Sequence, residues 1–480
     1  MTTASTNLGS FDRPTPKSRW PVAAAILLTL YFIAFLTFAI LTQRGLVADG
    51  SHYFIRILRE HTVVSPEKSR WFANLLTEWP ILVALWCQIN DLPTLSCLYS
   101  FGLFYLSAVT PVLSWFLLPK ACKGLITLPL LALLFGWMAS CYVAIAQSRV
   151  MALWFWPTAF ALAFSSAHST RAAVVTLLLA IPTILMHEAM CFLGPILAII
   201  ALSRIAGDRG LFARCFWLGI GLWMLAGCAI ALYFTLVSFK QPDRMDFITG
   251  LVRFHFVFWA PQSVNTPVLV AVAAAVAMLF CCIRERLART LLPIWLPVFA
   301  LFLFSAGFAP VIAPGFFAPQ LQFDARSWVV AVPLLLVVAA IANRLKLLPV
   351  PSTARPMLAM IVALTAVSQT TWQIAATVKW DQFVDDFRQM LANDRGFVPF
   401  DTAFGSGGTD RPSALSLLVT DWTLPSLSIA LAPQGHVSSI VGNPGPISWQ
   451  PFDPADPAAL PRITGVDYTA YLDALPLIRP

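Results

Sequence analysis

The chain has 480 residues, 58% hydrophobic and only 11% charged, with a mean hydropathy of +0.76. A soluble globule carries about a quarter charged residues, so this composition excludes one and indicates a polytopic membrane protein. The net charge of +8 is no nucleic-acid footprint, because the basic residues lie singly or in twos and threes between apolar segments.

In chain order, the first apolar stretch, residues 20–41, is too long for a signal-peptide core. It runs into FAILTQRG without a small-residue cleavage pattern and reads as a retained transmembrane helix. Further spans follow at 96–118, 124–147, 150–166, 172–186, 188–203, 211–236, 266–283, 290–308, 327–343 and 357–377, which makes eleven predicted transmembrane helices. The stretch 71–91, WFANLLTEWPILVALWCQIND, is apolar but carries Glu78 and Pro80 and is only marginally long enough to cross.

Charge decides that case. With 71–91 at the surface and residues 1–19 inside, the inner segments hold Arg13, Lys17 and Arg19; Lys120 and Lys123; Arg171; Arg204, Arg209 and Arg214; Arg284, Arg286 and Arg289; and Arg344, Lys346 and Arg355. Against these stand only Asp12, Asp208 and Glu285, as the positive-inside rule asks. If 71–91 crossed, the loops IRERLART and NRLKLLPVPSTAR would face outward instead. The expected architecture is therefore an all-α polytopic membrane protein in three parts. They are an inner segment 1–19, a membrane domain 20–378 whose first outer loop (44–95) is large and bears interface helices, and a small mixed outer domain 379–480.

That last domain opens with WDQFVDDFRQMLANDRG, where Trp380, Phe383, Phe387 and Leu391 recur at helical spacing and Gly396 is a natural stop. The nine cysteines lie in or beside apolar segments without metal-finger spacing and read as packing residues. Five of the six histidines, His52, His61, His187, His255 and His436, fall on the outer side, so polar chemistry is expected there.

Two stretches carry it. In ADGSHYFIRILRE (48–60) an acid follows the first span by a few residues and opens a helix-compatible run. One reading is a surface helix capped by Asp49 or Ser51, with Ile55, Ile57 and Leu58 toward lipid and the arginines solvated. The other is a reaction site: Asp49 polarises or deprotonates an acceptor while nearby cations hold a lipid phosphate. In PTILMHEAMCFLGP (182–195), His187 and Glu188 interrupt two apolar helices. They are either a harmless polar turn or a second acid, cation ligand or substrate contact, since ionisable groups at membrane depth must pair or face water. HEAMC is not the zincin pattern, and no metal site is expected; the ligand set is too incomplete to place a divalent cation. Arg149 and Arg326, at outer ends of spans, are anchors or phosphate ligands. The absence of a glycine-rich phosphate loop or nucleophile elbow argues against ATP-driven or serine-hydrolase chemistry.

A long first span, then a large outer loop opening with an acid just beyond the membrane, resembles the GT-C fold glycosyltransferases that use polyprenyl-phosphate-linked sugars. The chain is also similar to uncharacterised bacterial inner-membrane proteins with a short outer tail. The GT-C resemblance covers residues 20–120 as a motif and the remaining spans as architecture. It implies a bacterial inner-membrane enzyme with an outer-face site. There Asp49 would be the catalytic or acceptor-activating acid, with His187 and Glu188 lining the site. His52, Arg56, Arg149 and Arg326 would face the donor phosphate. Many members carry a second acid directly after the first, where this chain has Gly50. The implied partners are a polyprenyl-phosphate sugar donor, membrane lipids and an envelope glycan or lipid acceptor, with no cofactor and no nucleic acid. A transporter or lipid flippase, with His187 and Glu188 as coupling groups, and a scaffold of a polysaccharide assembly complex are the competing readings.

Overall fold

The computed structural model describes residues 20–65, 68–138, 147–207, 210–238, 354–400, 423–432 and 436–442, together with Pro333, Val337 and Ala403. These residues are mostly helical. Helix α1 (Trp20–Leu41) leads through a 3-10 turn, Arg44–Leu46, into α2 (Asp49–Glu60). After a 3-10 turn at Lys68–Arg70 come α3 (Trp71–Trp86), α4 (Leu92–Phe104) and α5 (Leu106–Leu117). Then follow α6 (Thr127–Ala132), α7 (Gln147–Phe164), α8 (Thr170–Ala180), α9 (Met190–Ser203), α10 (Leu211–Ser238) and α11 (Ala354–Asn393). Strands β1 (Gly396–Pro399) and β2 (Ser439–Gly442), with α12 (Leu424–Ala430) between them in sequence, form a small terminal unit.

Three described segments are long and apolar enough to cross a membrane: Ala23–Leu41, Leu92–Leu117 and Leu211–Val237. Thr170–Leu185 and Met190–Ser203 are apolar but shorter. The expected spans at 266–283, 290–308 and 327–343 lie outside the described residues, save Pro333 and Val337. The expected span at 124–147 is not one helix. A 3-10 helix (Lys120–Ile126), the short α6 and a π-helical turn (Leu133–Trp137) replace its first two-thirds.

Helix α11 joins what the sequence divides. The span expected at 357–377 and the tail helix expected from Trp380 are one helix of 40 residues, about 60 Å long. It ends three residues before Gly396, whose φ of 81° needs a residue without a Cβ. α11 runs parallel to α1, as paired contacts at both levels establish. The Tyr31 hydroxyl meets Thr371 Oγ1 at 2.8 Å, and Trp380 Nε1 donates to the Thr42 carbonyl at 2.9 Å. Buried Arg44 then donates to the Gln373 carbonyl (2.9 Å) and Thr377 Oγ1 (2.6 Å), and Arg388 reaches Gln43 Oε1 (2.9 Å). The end of α1 therefore lies beside Trp380, and α11 continues about 20 Å past that level to Asn393.

The terminal unit rests on that end. β1 and β2 pair in parallel, Gly396 opposite Ser439 through Pro399 opposite Gly442. Ser439 Oγ donates to the Leu391 carbonyl at the end of α11, and the Val441 amide donates to Ser428 Oγ of α12. In turn α12 covers α2, where Ser51 Oγ donates to the Thr423 carbonyl at 3.3 Å. This cover corrects the sequence reading of α2: Ile55, Ile57 and Leu58 are buried in the protein core and do not face lipid.

Candidate functional site

The site forms where α2, the 3-10 turn 68–70, the turn between α8 and α9, and the start of α7 meet. Ala48, at φ 49°, occupies the cap position of α2, and no side chain caps it. Asp49 is the first helical residue, half-buried, where its charge still favours the helix N-terminus. Neither Asp49 nor Ser51 is the cap expected from sequence; Ser51 Oγ donates to the Ala48 and Thr423 carbonyls.

One turn along, Tyr53 is the hub. Its side chain hydrogen-bonds Gln147 at the start of α7, and its hydroxyl feels both Arg70 and Asp49. Burial raises its pKa above the usual tyrosine value; Arg70 and the Gln147 bond oppose that shift, and Asp49 reinforces it. The Tyr53 hydroxyl thus lies in the fields of both the first-loop acid and the Arg70 cation.

That cluster is built on Glu188. Arg70 Nε lies 3.1 and 3.0 Å from its two carboxylate oxygens, and Ser69 Oγ donates to Oε1 at 2.7 Å. His187 Nε2 is 3.2 Å from Oε2, while His187 Nδ1 accepts the Ala189 amide at 3.0 Å. While the ring is neutral, an acceptor Nδ1 fixes the tautomer protonated on Nε2, which donates to the carboxylate; when it is protonated its charge adds to that of Arg70. Burial alone would raise the Glu188 pKa; His187, Arg70, the Ser69 hydroxyl and its own backbone amide outweigh it and bring the carboxyl to about 2. Glu188 is therefore a permanent anion at neutral pH and is poorly suited to proton transfer.

The cluster is recessed. α10 runs antiparallel to α9, passes Ile184 and Met190 at Gly227, and continues to Ser238, roughly 16 Å further along its axis. Among the described residues no group of three His, Cys, Asp or Glu side chains is placed to hold a metal.

The other residues singled out by sequence sit less freely. Burial first, then the Arg56 and Arg59 charges, lower His52 to about 4, so it is neutral at physiological pH and offers no charge to a phosphate. Arg56 is bound to Glu60 one turn on, at 3.0 Å. Arg149 is 2% exposed inside the first turn of α7, which corrects its reading as an interface anchor. Arg326 lies outside the described residues. Sequence reading missed Tyr53, Ser69, Arg70 and Gln147. The segment PEKSRW carries no motif within the first outer loop, and no periodicity marks a pair separated by 118 positions.

No protein-family model, curated protein or solved structure matches the chain.

Proposed function

We propose that the protein is a membrane glycosyltransferase moving a sugar from a polyprenyl-phosphate-linked donor to a cell-envelope glycan or lipid. It would work at the outer face of a bacterial inner membrane through an eleven-span bundle. The observation that carries this reading is that Tyr53, one turn along α2 from the first-loop acid Asp49, feels the charges of both Asp49 and Arg70, the partner of Glu188. Asp49 is half-buried in the first turn of α2. In the reaction, an acceptor hydroxyl oxygen bonds to the anomeric carbon, the bond from that carbon to the phosphate oxygen breaks, and the hydroxyl proton passes to Asp49. Polyprenyl phosphate leaves with the bonding pair. Glu188 and His187 position Arg70, whose guanidinium suits a planar phosphate contact. No nucleotide site is needed, because the donor is activated on the other side of the membrane.

The test is mass spectrometry of envelope glycans and glycolipids in a deletion strain carrying wild type or Asp49→Asn at matched protein levels. The reading expects a sugar that disappears on deletion and returns with wild type alone. Restoration by both proteins removes Asp49 from the chemistry. An unchanged glycan profile removes glycosyl transfer, and ion-gradient-dependent uptake into vesicles would then favour transport.

A further inference from the structure

Helix α3 answers to a different partner. Trp79, Val83 and Trp86 are 42%, 47% and 85% exposed and, spaced four and three apart, share one face. The opposite face, with Asn74, Thr77, Glu78 and Ile81, is buried. There the Asn74 amide donates to the Val64 carbonyl and Glu78 Oε2 accepts the Val64 amide. Polar groups are thus turned inward and tryptophans outward, the reverse of a water-facing amphipathic helix.

The polar atoms on the tryptophan side are satisfied internally. Pro80 has no N–H, so the Leu76 carbonyl loses its helical partner. Tyr105, between α4 and α5, supplies one: its hydroxyl donates to Leu76 O at 2.8 Å and accepts Trp79 Nε1–H at 3.1 Å. Water would have met both needs without Tyr105; hydrocarbon cannot, and requires such pairing. The Tyr105 ring stacks on exposed Phe101 at 5.4 Å, and this aromatic surface continues into exposed Val109, Val112, Trp115 and Phe116 of the membrane-length segment Leu92–Leu117.

The chain enters and leaves this segment from one end of the bundle: α2, which follows the end of α1, precedes it, and α4, which starts beside the end of α1, follows it. Arg70, before its first residue, pairs with Glu188, and its charge acts on Tyr53 of α2. After its last residue the chain enters α4, where Cys97 Sγ approaches the Leu41 carbonyl and Ser100 Oγ accepts the Gly45 amide, at the end of α1. Sixteen residues span about 24 Å, short of the roughly 30 Å hydrocarbon core.

We infer that α3 is a re-entrant helix: it enters and leaves on the side of the membrane where α1 ends, and its tryptophan face is immersed in the lipid of that leaflet beside α4. The partner of this face is phospholipid, with Trp86 at the headgroup level, where indoles concentrate. The inference is independent of the glycosyltransferase reading.

The test places the photoreactive residue benzoyl-phenylalanine at Val83, at Trp86 and, as an aqueous control, at Asp91, in full-length protein in native membranes. Irradiation is expected to give phospholipid adducts at positions 83 and 86, enriched over position 91. Adducts to a second copy of the chain or to another polypeptide, or an equal yield at all three positions, would overturn the lipid assignment. Epitopes inserted after Thr62 and after Asn90 test the topology. Antibody access to both from one side is expected, and access from opposite sides would mean that α3 crosses.

Discussion

At the scale of single residues, the acid Glu188 stays charged and the histidine of α2, His52, stays neutral. Their pH windows differ. The Glu188 carboxyl is lowered from 4.5 to about 2, so its stabilising contribution is complete above the unfolded value and is lost as pH falls from 4.5 toward 2. His52 is lowered from 6.5 to about 4. Below pH 6.5 the unfolded chain takes up a proton that the folded chain refuses, so stability falls between pH 6.5 and 4, by on the order of 3 kcal/mol. Melting temperatures in detergent should therefore fall in two stages on acidification. His52→Gln is expected to remove the upper stage and Glu188→Gln the lower. Arg70→Gln leaves Glu188 buried without its guanidinium. It is expected to cost about 2 kcal/mol, below the roughly 3–5 of a fully buried pair because Arg70 keeps some contact with water. The double variant Arg70→Gln, Glu188→Gln should recover part of that loss in a denaturation cycle. Full additivity would show that the two residues do not act as a pair.

At the scale of elements, the α3 and α4 hairpin depends on a glycine and a tyrosine. A Cβ at Gly102 would collide with the Thr77 carbonyl, so the two backbones approach as closely as they do only because position 102 has none. Gly102→Leu is expected to separate the helices and to lower thermal stability by about 2–3 kcal/mol. Tyr105→Phe keeps the ring packing but strands the Leu76 carbonyl and the Trp79 N–H. It should cost about 1 kcal/mol, with a larger loss in bilayers than in a detergent that admits water. The apolar run 71–86 was legible as a helix, and its Pro80 and Glu78 were legible as irregularities. Their roles were not: Pro80 frees a carbonyl for Tyr105, and Glu78 holds the backbone at Val64, and both depend on partners supplied by the fold.

At the scale of the whole molecule, α1 and α11 form a parallel pair carrying the first loop on one end and the terminal unit against it. Arg44, 1% exposed, is the bolt: Arg44→Met should loosen α11 and uncover α2, detectable as faster proteolysis at residues 61–65 and 394–396 together. Cleavage at one site alone would show that the first loop and the terminal unit open independently. Membrane residence, helical class and the polar stretches at Asp49 and at His187 with Glu188 were all legible in the sequence. Transfer free energy is a sum over neighbouring residues, and a charge inside an apolar run is conspicuous without any fold. The parallel pairing of α1 with α11, the single helix through 378, the break within 124–138 and the pairing of Arg70 with Glu188 were not legible. Helices with similar apolar faces are matched by a few small residues and by polar atoms that must find partners away from water, and those matches join positions that no local pattern connects.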